Sequence, residues 1–411
     1  MPTPRGRFDV AVTGLGLVTA AGVGTEETWR TALAGISTAS TDPELDGVPV
    51  DFSYRVPGFD GDRLLGRRLA FRLDRHVQFG LAAAREAVAD SALDTSAWEP
   101  ARVGVVMGTA LGGMIAWERE SRRILEHGPA NVSPRLIPQA AVNMVAGEIA
   151  IDLGAAGPNL VTSTACASGA TALGTARELL RSGVCDVVLA GGAEASVCPL
   201  VVAPFARMGA LSVRRDDPAA ASRPFDADRD GFVIGEGAAV LVLERTAHAE
   251  ARGARVYARL SGYGASADGT HPNLPDPDGL GVERAVTAAL RDAALSPADV
   301  DHVNAHGTAT PLNDEVEART MRRLLGERPL LTSTKGVTGH ALGAAGAIEA
   351  AVTALTLAHG SVPPTANLAS LDPAVDMDVV AKAARTLPVE VALSNSFGFG
   401  GQNAVLVMTR A

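Results

Sequence analysis

Short apolar runs alternate with longer segments of helical periodicity along the whole chain. Runs rich in Val, Leu and Ala predict strands at 9–16, 102–110, 159–165, 185–193 and 238–244. A second series follows in RVYARLSGYG, VDHVNAHGTA, PLLTSTKG, VALSNS and NAVLVMT. Helical segments lie between them, at 77–92, 168–182, 281–294, 314–325 and 341–358. This alternation predicts an α/β fold built from βαβ units with largely buried sheets.

The alternation runs through the chain twice, with a seam near ARGARV at 251–256. The two halves are not visibly similar in sequence, but they share the same succession of elements. We therefore predict an internal duplication, with one half at 1–253 and the other at 254–411. Strand 159–165 is predicted to be buried, like the other strands.

Composition narrows the class of protein. The 411 residues are 47% hydrophobic and carry a formal net charge of -10, which argues against nucleic acid as a partner because phosphate binding needs positive potential. Segment 340–358 is the most membrane-like, yet Glu349 in its middle favours a buried helix over a membrane span. Residues 1–12 contain no apolar signal segment, so we expect a cytoplasmic protein without a membrane partner.

The cysteines and an arginine cluster are two candidate groups of functional residues. The three cysteines, Cys166, Cys185 and Cys198, have no CxxC spacing and no histidine cluster, so neither a disulfide framework nor a zinc site is predicted. An arginine cluster lies in GRRLAFRLDR, at Arg67, Arg68, Arg72 and Arg75. It is interpreted either as a basic docking patch or as an ordinary solvated helix face.

Cys166 lies in VTSTACASGA, at the turn between a predicted strand and a predicted helix. Free amides and the positive end of the helix favour a thiolate there, which is the nucleophilic form of cysteine. The small neighbours Ala165, Ala167 and Gly169 allow a substrate carbonyl to approach backbone N–H donors. The alternative is a buried structural cysteine, which is common in apolar stretches.

Two histidines strengthen the catalytic interpretation. His306 ends the predicted strand of VDHVNAHGTAT, and His340 starts a predicted helix five residues after Lys335. A cysteine, two histidines at element ends and a lysine form a specific candidate set, whereas His302 is expected to be structural or exposed. The glycine-rich turn SNSFGFGGQN at 394–403 is either a tight structural turn or an oxyanion and gating loop.

Seven motifs in a characteristic order carry a family resemblance: VTGLGLVTAAG, TACASG, RPFDADRDGFVIGEGA, NAHGTATPLND, STKGVTGHALGAAGAIEA, VPPTAN and SNSFGFGG. With them the whole chain resembles an elongating β-ketoacyl-acyl carrier protein synthase, a type II ketosynthase of the thiolase-like superfamily. The resemblance implies a thiolase-like fold, in which two duplicated halves form a layered α-β-α-β-α architecture. It also implies a decarboxylative Claisen condensation of an acyl group on Cys166 with malonyl-acyl carrier protein, in fatty acid or type II polyketide (for example polyene) elongation.

The resemblance assigns roles residue by residue. Cys166 is the acyl-accepting nucleophile, His306 and His340 are the active-site histidines, and Lys335 lies beside them. The amides of Cys166 and Phe399, flanked by Gly398 and Gly400, match the oxyanion hole, and Phe399 matches the gate. The remaining matches are Thr308 and Thr310 at the phosphopantetheine arm, Leu111 and Met114 at the acyl chain, and Asp314, Glu317 and Glu349 in support of the site.

Partners and cofactors are implied in the same way. An acidic acyl carrier protein supplies the phosphopantetheine arm and docks at Arg67, Arg68 and Arg72. No further cofactor and no catalytic metal are expected, although some relatives hold a structural monovalent cation near Asn304, Glu349, Ser394 and Asn395. The resemblance implies a homodimer or a heterodimer with a chain-length-factor subunit.

Departures from the family pattern leave the pathway open. Gln402, Gly209 and Ala210 replace residues usual in housekeeping enzymes, which favours a specialised ketosynthase. Segment 270–281 is either a second gating loop or a rigid surface loop. A thiolase is disfavoured because SNSFGFGGQN contains no second cysteine. A non-catalytic chain-length factor is the remaining alternative, although such subunits lack the nucleophile.

Overall fold

The computed structural model describes residues 8–411, and its main strands come in two series of five. The first series is β1 Val10–Thr19, β2 Val103–Gly108, β3 Asn159–Thr162, β4 Val187–Glu194 and β5 Gly237–Arg245. The second is β6 Ala258–Ala267, β7 His302–Asn304, β8 Leu330–Thr332, β9 Val391–Gly398 and β10 Gln402–Thr409. Two-residue strands occur at Gly22–Val23, Ser40–Thr41, Phe52–Ser53, Ser361–Val362, Asp378–Val379 and Arg385–Thr386.

The two series have the same topology. The first is ordered β3-β2-β4-β5-β1 and the second β8-β7-β9-β10-β6, so each strand has a counterpart five positions later. In both, the first three strands in this order are parallel and the strand corresponding to β5 or β10 is antiparallel to both of its neighbours. The two halves join where β1 pairs with β6, at residues 10–12 and 258–260. The predicted duplication is thus visible in strand order rather than in sequence, while the exact boundary at 253/254 stays a prediction.

Fourteen α-helices lie in the described part of the chain. They are α1 Thr25–Ala34, α2 Gly61–Leu65, α3 Arg67–Ala70, α4 Arg75–Ser91, α5 Met114–His127, α6 Leu136–Ala140, α7 Met144–Leu153, α8 Ser168–Arg181, α9 Pro199–Arg207, α10 Thr246–Ala251, α11 Leu280–Asp292, α12 Pro311–Leu325, α13 Lys335–Thr338 and α14 Ala345–His359. Short 3₁₀ turns include Ala165–Ala167, Leu342–Ala344 and Phe399–Gly401.

The helices form three layers around the two halves of the sheet. Helices α8 and α14 pack together between the halves, α4 and α7 cover the outer face of the first half, and α11 covers that of the second. Residues of α14 from Ala345 to Leu357 are buried, because this helix touches both halves. Although α14 belongs to the one segment long and apolar enough to cross a membrane among the described residues, it fills the protein interior as predicted. The result is the expected α-β-α-β-α arrangement.

Strand β3 is shorter and more exposed than the sequence predicts. It ends at Thr162, three residues early, and it is not buried, since the side chain of Leu160 is 42% exposed. The reason is topological, because β3 pairs only with β2 and forms the edge of the sheet. His302, by contrast, is fully buried in β7. Alternation of apolar residues could not distinguish an edge strand from a central one.

Candidate active site

The nucleophile turn is built by the chain reversal between β3 and α8. The 3₁₀ turn Ala165–Ala167 carries Cys166 and leads directly into Ser168, the first residue of α8. Ala165 has a φ of 49°, a left-handed conformation that costs a non-glycine residue about 1–2 kcal/mol. The Ser168 hydroxyl holds the turn, since it accepts from the Thr164 N–H at 2.9 Å and donates to the Ala165 carbonyl at 2.6 Å. The tertiary structure therefore holds Cys166 in a strained turn.

The protonation state of Cys166 differs from the sequence expectation. Burial raises the pKa of the thiol to about 11, against the opposing influence of Lys335 and a Phe399 N–H that faces the sulfur. The negative charge of Glu194 raises it further. The expectation that the helix end stabilises a thiolate is therefore wrong, because desolvation outweighs it and keeps the thiol protonated at neutral pH.

The oxyanion donors depend on a close approach at Gly398. A Cβ built on Gly398 would lie 2.7 Å from the Thr164 carbonyl oxygen and 3.0 Å from the Cys166 amide nitrogen. Only glycine lets the β9–β10 turn lie this close to the nucleophile turn. The amides of Cys166 and Phe399 consequently face the same region. The next residue, Gly400, has a φ of 79° and donates its N–H to the Pro272 carbonyl at 2.6 Å. Segment 270–281 is therefore in direct contact with the glycine-rich turn.

The two histidines lie side by side in the interior. His306 and His340 are each 3% exposed, and their ring centroids are 5.4 Å apart at an interplanar angle of 83°. Burial lowers the pKa of both rings well below the usual value, and the nearby charge of Lys335 lowers both further. Both imidazoles are consequently neutral at pH 7, and each has an N–H to donate.

Lys335 links the histidines to a buried carboxylate. Its Nζ donates to the His306 carbonyl at 2.6 Å, lies 3.5 Å from His306 Nδ1, and forms an ion pair with Glu349. Burial raises the pKa of Glu349 to about 7, although Lys335 opposes the shift. Lys335 lies at the start of α13 and Glu349 lies in α14, so this ion pair exists only because the two helices pack together.

The other predicted acids support the backbone around His306. Glu317 accepts the N–H groups of His306 at 2.9 Å and Gly307 at 2.8 Å, and Asp314 accepts the Phe225 N–H at 2.9 Å. Burial raises the pKa of both carboxyls. Both residues lie in the first turns of α12, whose start follows directly after the histidine loop. Glu317 holds the strand end that carries His306, whereas Asp314 holds the backbone at Phe225.

These residues surround one cavity of about 320 Å³. Cys166, His306, His340, Thr308, Thr310, Gly398 and Phe399 all line it. The hydroxyls of Thr308 and Thr310 share a hydrogen bond of 2.9 Å. Sequence reasoning did not anticipate the aromatic wall, in which Phe232 packs edge-on against His340 at 5.2 Å and Phe397 against His306 at 5.6 Å.

Leu111 and Met114 lie outside the lining of this cavity. Met114 packs with Cys166 against a shared apolar cluster, whereas the side chain of Leu111 is 36% exposed. Leu111 follows Ala110, whose carbonyl accepts a hydrogen bond from Ser163 beside the edge strand. Their roles at the acyl chain stay predictions.

The arginine cluster divides into two parts. Arg67, Arg68 and Arg72 surround the exposed ring of Phe71, and Arg135 stacks over this ring at 4.4 Å. Arg75, in contrast, turns inward to the buried carboxylate of Glu236. Arg75 therefore does not belong to the surface patch, whereas Arg135, distant in sequence, does.

Buried oxygen atoms without a hydrogen-bond partner occur where a cation was expected. They are Asn304 Oδ1, Glu349 Oε2, Ser394 Oγ and Asn395 Oδ1, together with the unanticipated Ser396 Oγ. Asn304 and Ser394 are register partners in β7 and β9, so their side chains share the face that meets α14. The Asn395 side chain points to the opposite face, where it bonds Glu317. The oxygens of Asn304, Glu349, Ser394 and Ser396 suit a cation on the face that meets α14. Asn395 Oδ1 also has no partner, but it lies on the opposite face of β9.

Comparison with known families follows the same division of the chain. Residues 7–249 match the model of the β-ketoacyl synthase N-terminal domain, and residues 257–369 match that of the C-terminal domain. A protein of Synechocystis named 3-oxoacyl-[acyl-carrier-protein] synthase 2 is 43% identical over 406 residues, which is 98% of both chains. The protein of the same name from Vibrio cholerae is 42% identical over 98% of this chain and 99% of its own.

Solved structures agree in fold over nearly the full length. The ishigamide ketosynthase/chain length factor superposes with a TM-score of 0.92 at 34% identity, covering 98% of this chain and 100% of that one. A β-ketoacyl synthase from Burkholderia phymatum gives the same TM-score, identity and coverage. A type II polyketide ketosynthase in complex with its acyl-carrier protein and bound to the hexaketide gives a TM-score of 0.91 at 34% identity, with the same coverage.

Proposed function

The chain belongs to the β-ketoacyl synthase family, and from this we propose that it joins an acyl group on Cys166 to a malonyl unit on an acyl carrier protein. One observation carries the proposal, namely that a single cavity contains a thiol, two neutral imidazoles and a pair of converging backbone amides. A non-catalytic chain-length factor has no use for this set.

The first half-reaction is acyl transfer. The Cys166 sulfur attacks the carbonyl carbon of the carrier thioester, a new C–S bond forms, and the phosphopantetheine sulfur leaves. Because the thiol is protonated, its proton must move to the leaving sulfur, and a neutral imidazole in the same cavity is suited to pass it on. The amides of Cys166 and Phe399 stabilise the oxygen of the tetrahedral intermediate.

The second half-reaction is condensation. The malonyl C–C bond to the carboxylate breaks, carbon dioxide leaves, and an enolate forms on the carrier thioester. Neutral His306 and His340 are suited to donate N–H hydrogen bonds to the enolate oxygen, which a charged imidazolium would otherwise protonate. The enolate carbon attacks the carbonyl carbon of the Cys166 thioester, a C–C bond forms, and the cysteine sulfur leaves as a thiolate that takes up one proton from solvent water. The product is a β-ketoacyl carrier protein two carbons longer.

The proposal includes two protein partners. The arginines around Phe71 offer positive charge and an apolar anchor to an acidic carrier protein. A second ketosynthase-type subunit, either identical or a chain-length factor, covers the edge strand β3. Support comes from its unpaired edge and from the exposed apolar side chains beside it, those of Leu111, Val142, Ile151 and Leu160.

A structural monovalent cation and a cytoplasmic location complete the proposal. Asn304, Ser394, Ser396 and Glu349 would hold the cation through oxygens that otherwise have no partner. Three of these ligands are neutral and the pKa of Glu349 is raised, which favours one positive charge over two. The cation would brace β7 and β9 behind His306. We keep 1–253 and 254–411 as the two halves of the enzyme.

Reconstitution with malonyl-carrier protein and a series of acyl-carrier proteins tests the function, with products identified by intact mass. We expect β-ketoacyl products from the wild type and none from Cys166→Ala, which should still decarboxylate malonyl-carrier protein because that step uses the histidines. Turnover of saturated chains by the chain alone favours fatty acid synthesis, whereas dependence on a second subunit favours a polyketide pathway. No acyl adduct on Cys166 would refute the enzyme assignment.

A further inference from the structure

A buried carboxylate with no role in the proposed chemistry lies close to the nucleophile. Glu194 ends β4 and is fully buried. Its charge faces Cys166, and burial raises the pKa of the Glu194 carboxyl itself. Its direct hydrogen bonds come from neutral groups, so it is not part of the ion pair formed by Lys335 and Glu349.

The hydrogen bonds of Glu194 converge on one short segment. Oε2 accepts the Ala110 N–H at 2.6 Å and the Thr109 hydroxyl at 3.3 Å. Oε1 accepts the Ser196 hydroxyl at 2.5 Å, and the Leu111 N–H also faces the carboxylate. The Thr109 oxygen accepts in turn from the Gly112 N–H at 3.1 Å. Every residue of the segment 109–112 is thus tied, directly or through one hydroxyl, to this carboxylate.

The same segment lies between the end of β3 and the turn after His340. Thr109 donates its N–H to Thr162 at the end of β3, immediately before the Cys166 turn. On its other side, a Cβ on Gly343 would lie 2.2 Å from the Ala110 nitrogen and 2.7 Å from Glu194 Oε2, so the turn after His340 presses against the same place. The segment then continues into α5, which begins at Met114.

We propose that Glu194 is a positioning residue for acyl-chain selection, whose carboxylate fixes the segment 109–112 and with it the side chain of Leu111. The inference rests on the proposed function and on the acyl-chain role that the family resemblance implies for Leu111. A second consequence is electrostatic, because a carboxylate near Cys166 disfavours the thiolate. The other titratable groups nearby are Lys335 for the thiol and His76 for the carboxylate. The cavity that Cys166 lines is also lined by His306, His340, Glu317 and Asp268.

Two substitutions of Glu194 separate the effect of its side-chain length from the effect of its charge. Glu194→Asp keeps the charge but withdraws the carboxylate by one methylene, so it should release the segment. Glu194→Gln removes the charge while its oxygen can still accept from Ala110 and its nitrogen can still donate to Ser196. Thr109→Val removes the hydroxyl bridge at almost constant volume and leaves Glu194 intact. Glu86→Asp is the matched control, because Glu86 also accepts two backbone N–H groups, of Leu17 and Thr25, far from the site.

The first readout is the ratio of kcat/KM values for a long and a short saturated acyl-carrier protein. We expect Glu194→Asp to change this ratio about fivefold or more, Thr109→Val to change it in the same direction, and the control to leave it within about twofold. Unchanged ratios in both Glu194→Asp and Thr109→Val would overturn the proposal. If Glu194→Asp fails to fold in thermal melting, Thr109→Val decides alone.

The second readout is the pH profile of Cys166 alkylation by iodoacetamide, followed by mass spectrometry. We expect the profile of Glu194→Gln to move to lower pH and that of Glu86→Asp to match the wild type. A purely structural glutamate would leave the profile in place, and that result would overturn the electrostatic part. Alkylation requires no condensation, so a wild type that alkylates normally but never condenses would refute the proposed function separately.

Discussion

Substitution of Gly398 by alanine tests the oxyanion hole without touching any side chain that reacts. The φ and ψ of Gly398, -115° and 157°, are ordinary for alanine, so the only consequence is steric. The new Cβ would lie 2.7 Å from the Thr164 oxygen, closer than real carbon and oxygen atoms approach. The β9–β10 turn must therefore move away from the nucleophile turn, and the Phe399 N–H must move with it.

The loss of one oxyanion donor sets the magnitude. Removing such a donor costs about 2.7–4 kcal/mol, or about a hundredfold to a thousandfold in rate. Since both half-reactions pass through an oxyanion on the Cys166 acyl carbon, transfer and condensation should both slow by about this factor. The crowding itself should lower the free energy of unfolding by about 1–3 kcal/mol.

Rapid-quench measurement of acyl-Cys166 formation, followed by intact mass, gives the transfer rate directly. Gly147→Ala in α7 is the control, because a Cβ there meets nothing within 4 Å and alanine favours the helix by about 1 kcal/mol. Transfer by folded Gly398→Ala within about threefold of the wild-type rate would refute the reasoning, since it would show that the Phe399 amide either does not move or is not the donor.

Four further predictions follow from the site. His306→Ala and His340→Ala should each slow malonyl decarboxylation by about a hundredfold or more while acyl transfer loses less, measured as separate half-reactions; equal losses would contradict the assignment. Wild-type Cys166 should alkylate about tenfold faster per pH unit from neutral pH towards its pKa of about 11, and a plateau near pH 8 would contradict the raised pKa. Lys335→Met should lower the free energy of unfolding, measured in urea, by about 3–5 kcal/mol because it leaves the buried Glu349 carboxylate without its ion-pair partner. Loss of Lys335 raises the pKa of Glu349 further above its wild-type value of about 7, so the stability of this variant is present at low pH and lost as pH rises through that higher pKa; a pH-independent cost would contradict it. Arg68→Glu should raise the KM for carrier protein severalfold at low salt, with exposed Arg30→Glu as control, and equal KM values would argue against docking there.

Much of the fold was accessible from periodicity, because strands and helices alternate in the chain as they do in space. The five helices expected between the strands are all present, and their bounds differ by a few residues. The prediction that β3 is buried was wrong because its apolar residues follow the pattern of a buried strand. Its place at the sheet edge depends on which strands pair. The identical order of the two halves was invisible in sequence, since topology persists when residues change.

The candidate site was accessible through its motifs, but its electrostatics were not. A helix start after Cys166 suggested a thiolate, whereas burial by several distant segments raises the thiol pKa instead. Glu194 went unnoticed although a carboxylate at the end of the buried run CDVVLAGGAE was a signal, because a charge inside an apolar strand needs partners. The sequence did not distinguish Arg75 from the neighbouring arginines, whereas in the structure its guanidinium bonds the buried carboxylate of Glu236.

The sequence by itself determined which elements form and which residue types are available for chemistry, because both depend on local pattern. It placed a cysteine at a strand-to-helix turn, histidines at element ends and glycines in the turn after β9. The tertiary structure decided the protonation states and the interaction partners of those groups. Packing α13 against α14 pairs Lys335 with Glu349, and desolvation in the folded protein raises the pKa of the Cys166 thiol and lowers the pKa of both imidazoles, because desolvation and Coulomb interactions depend on neighbours in space.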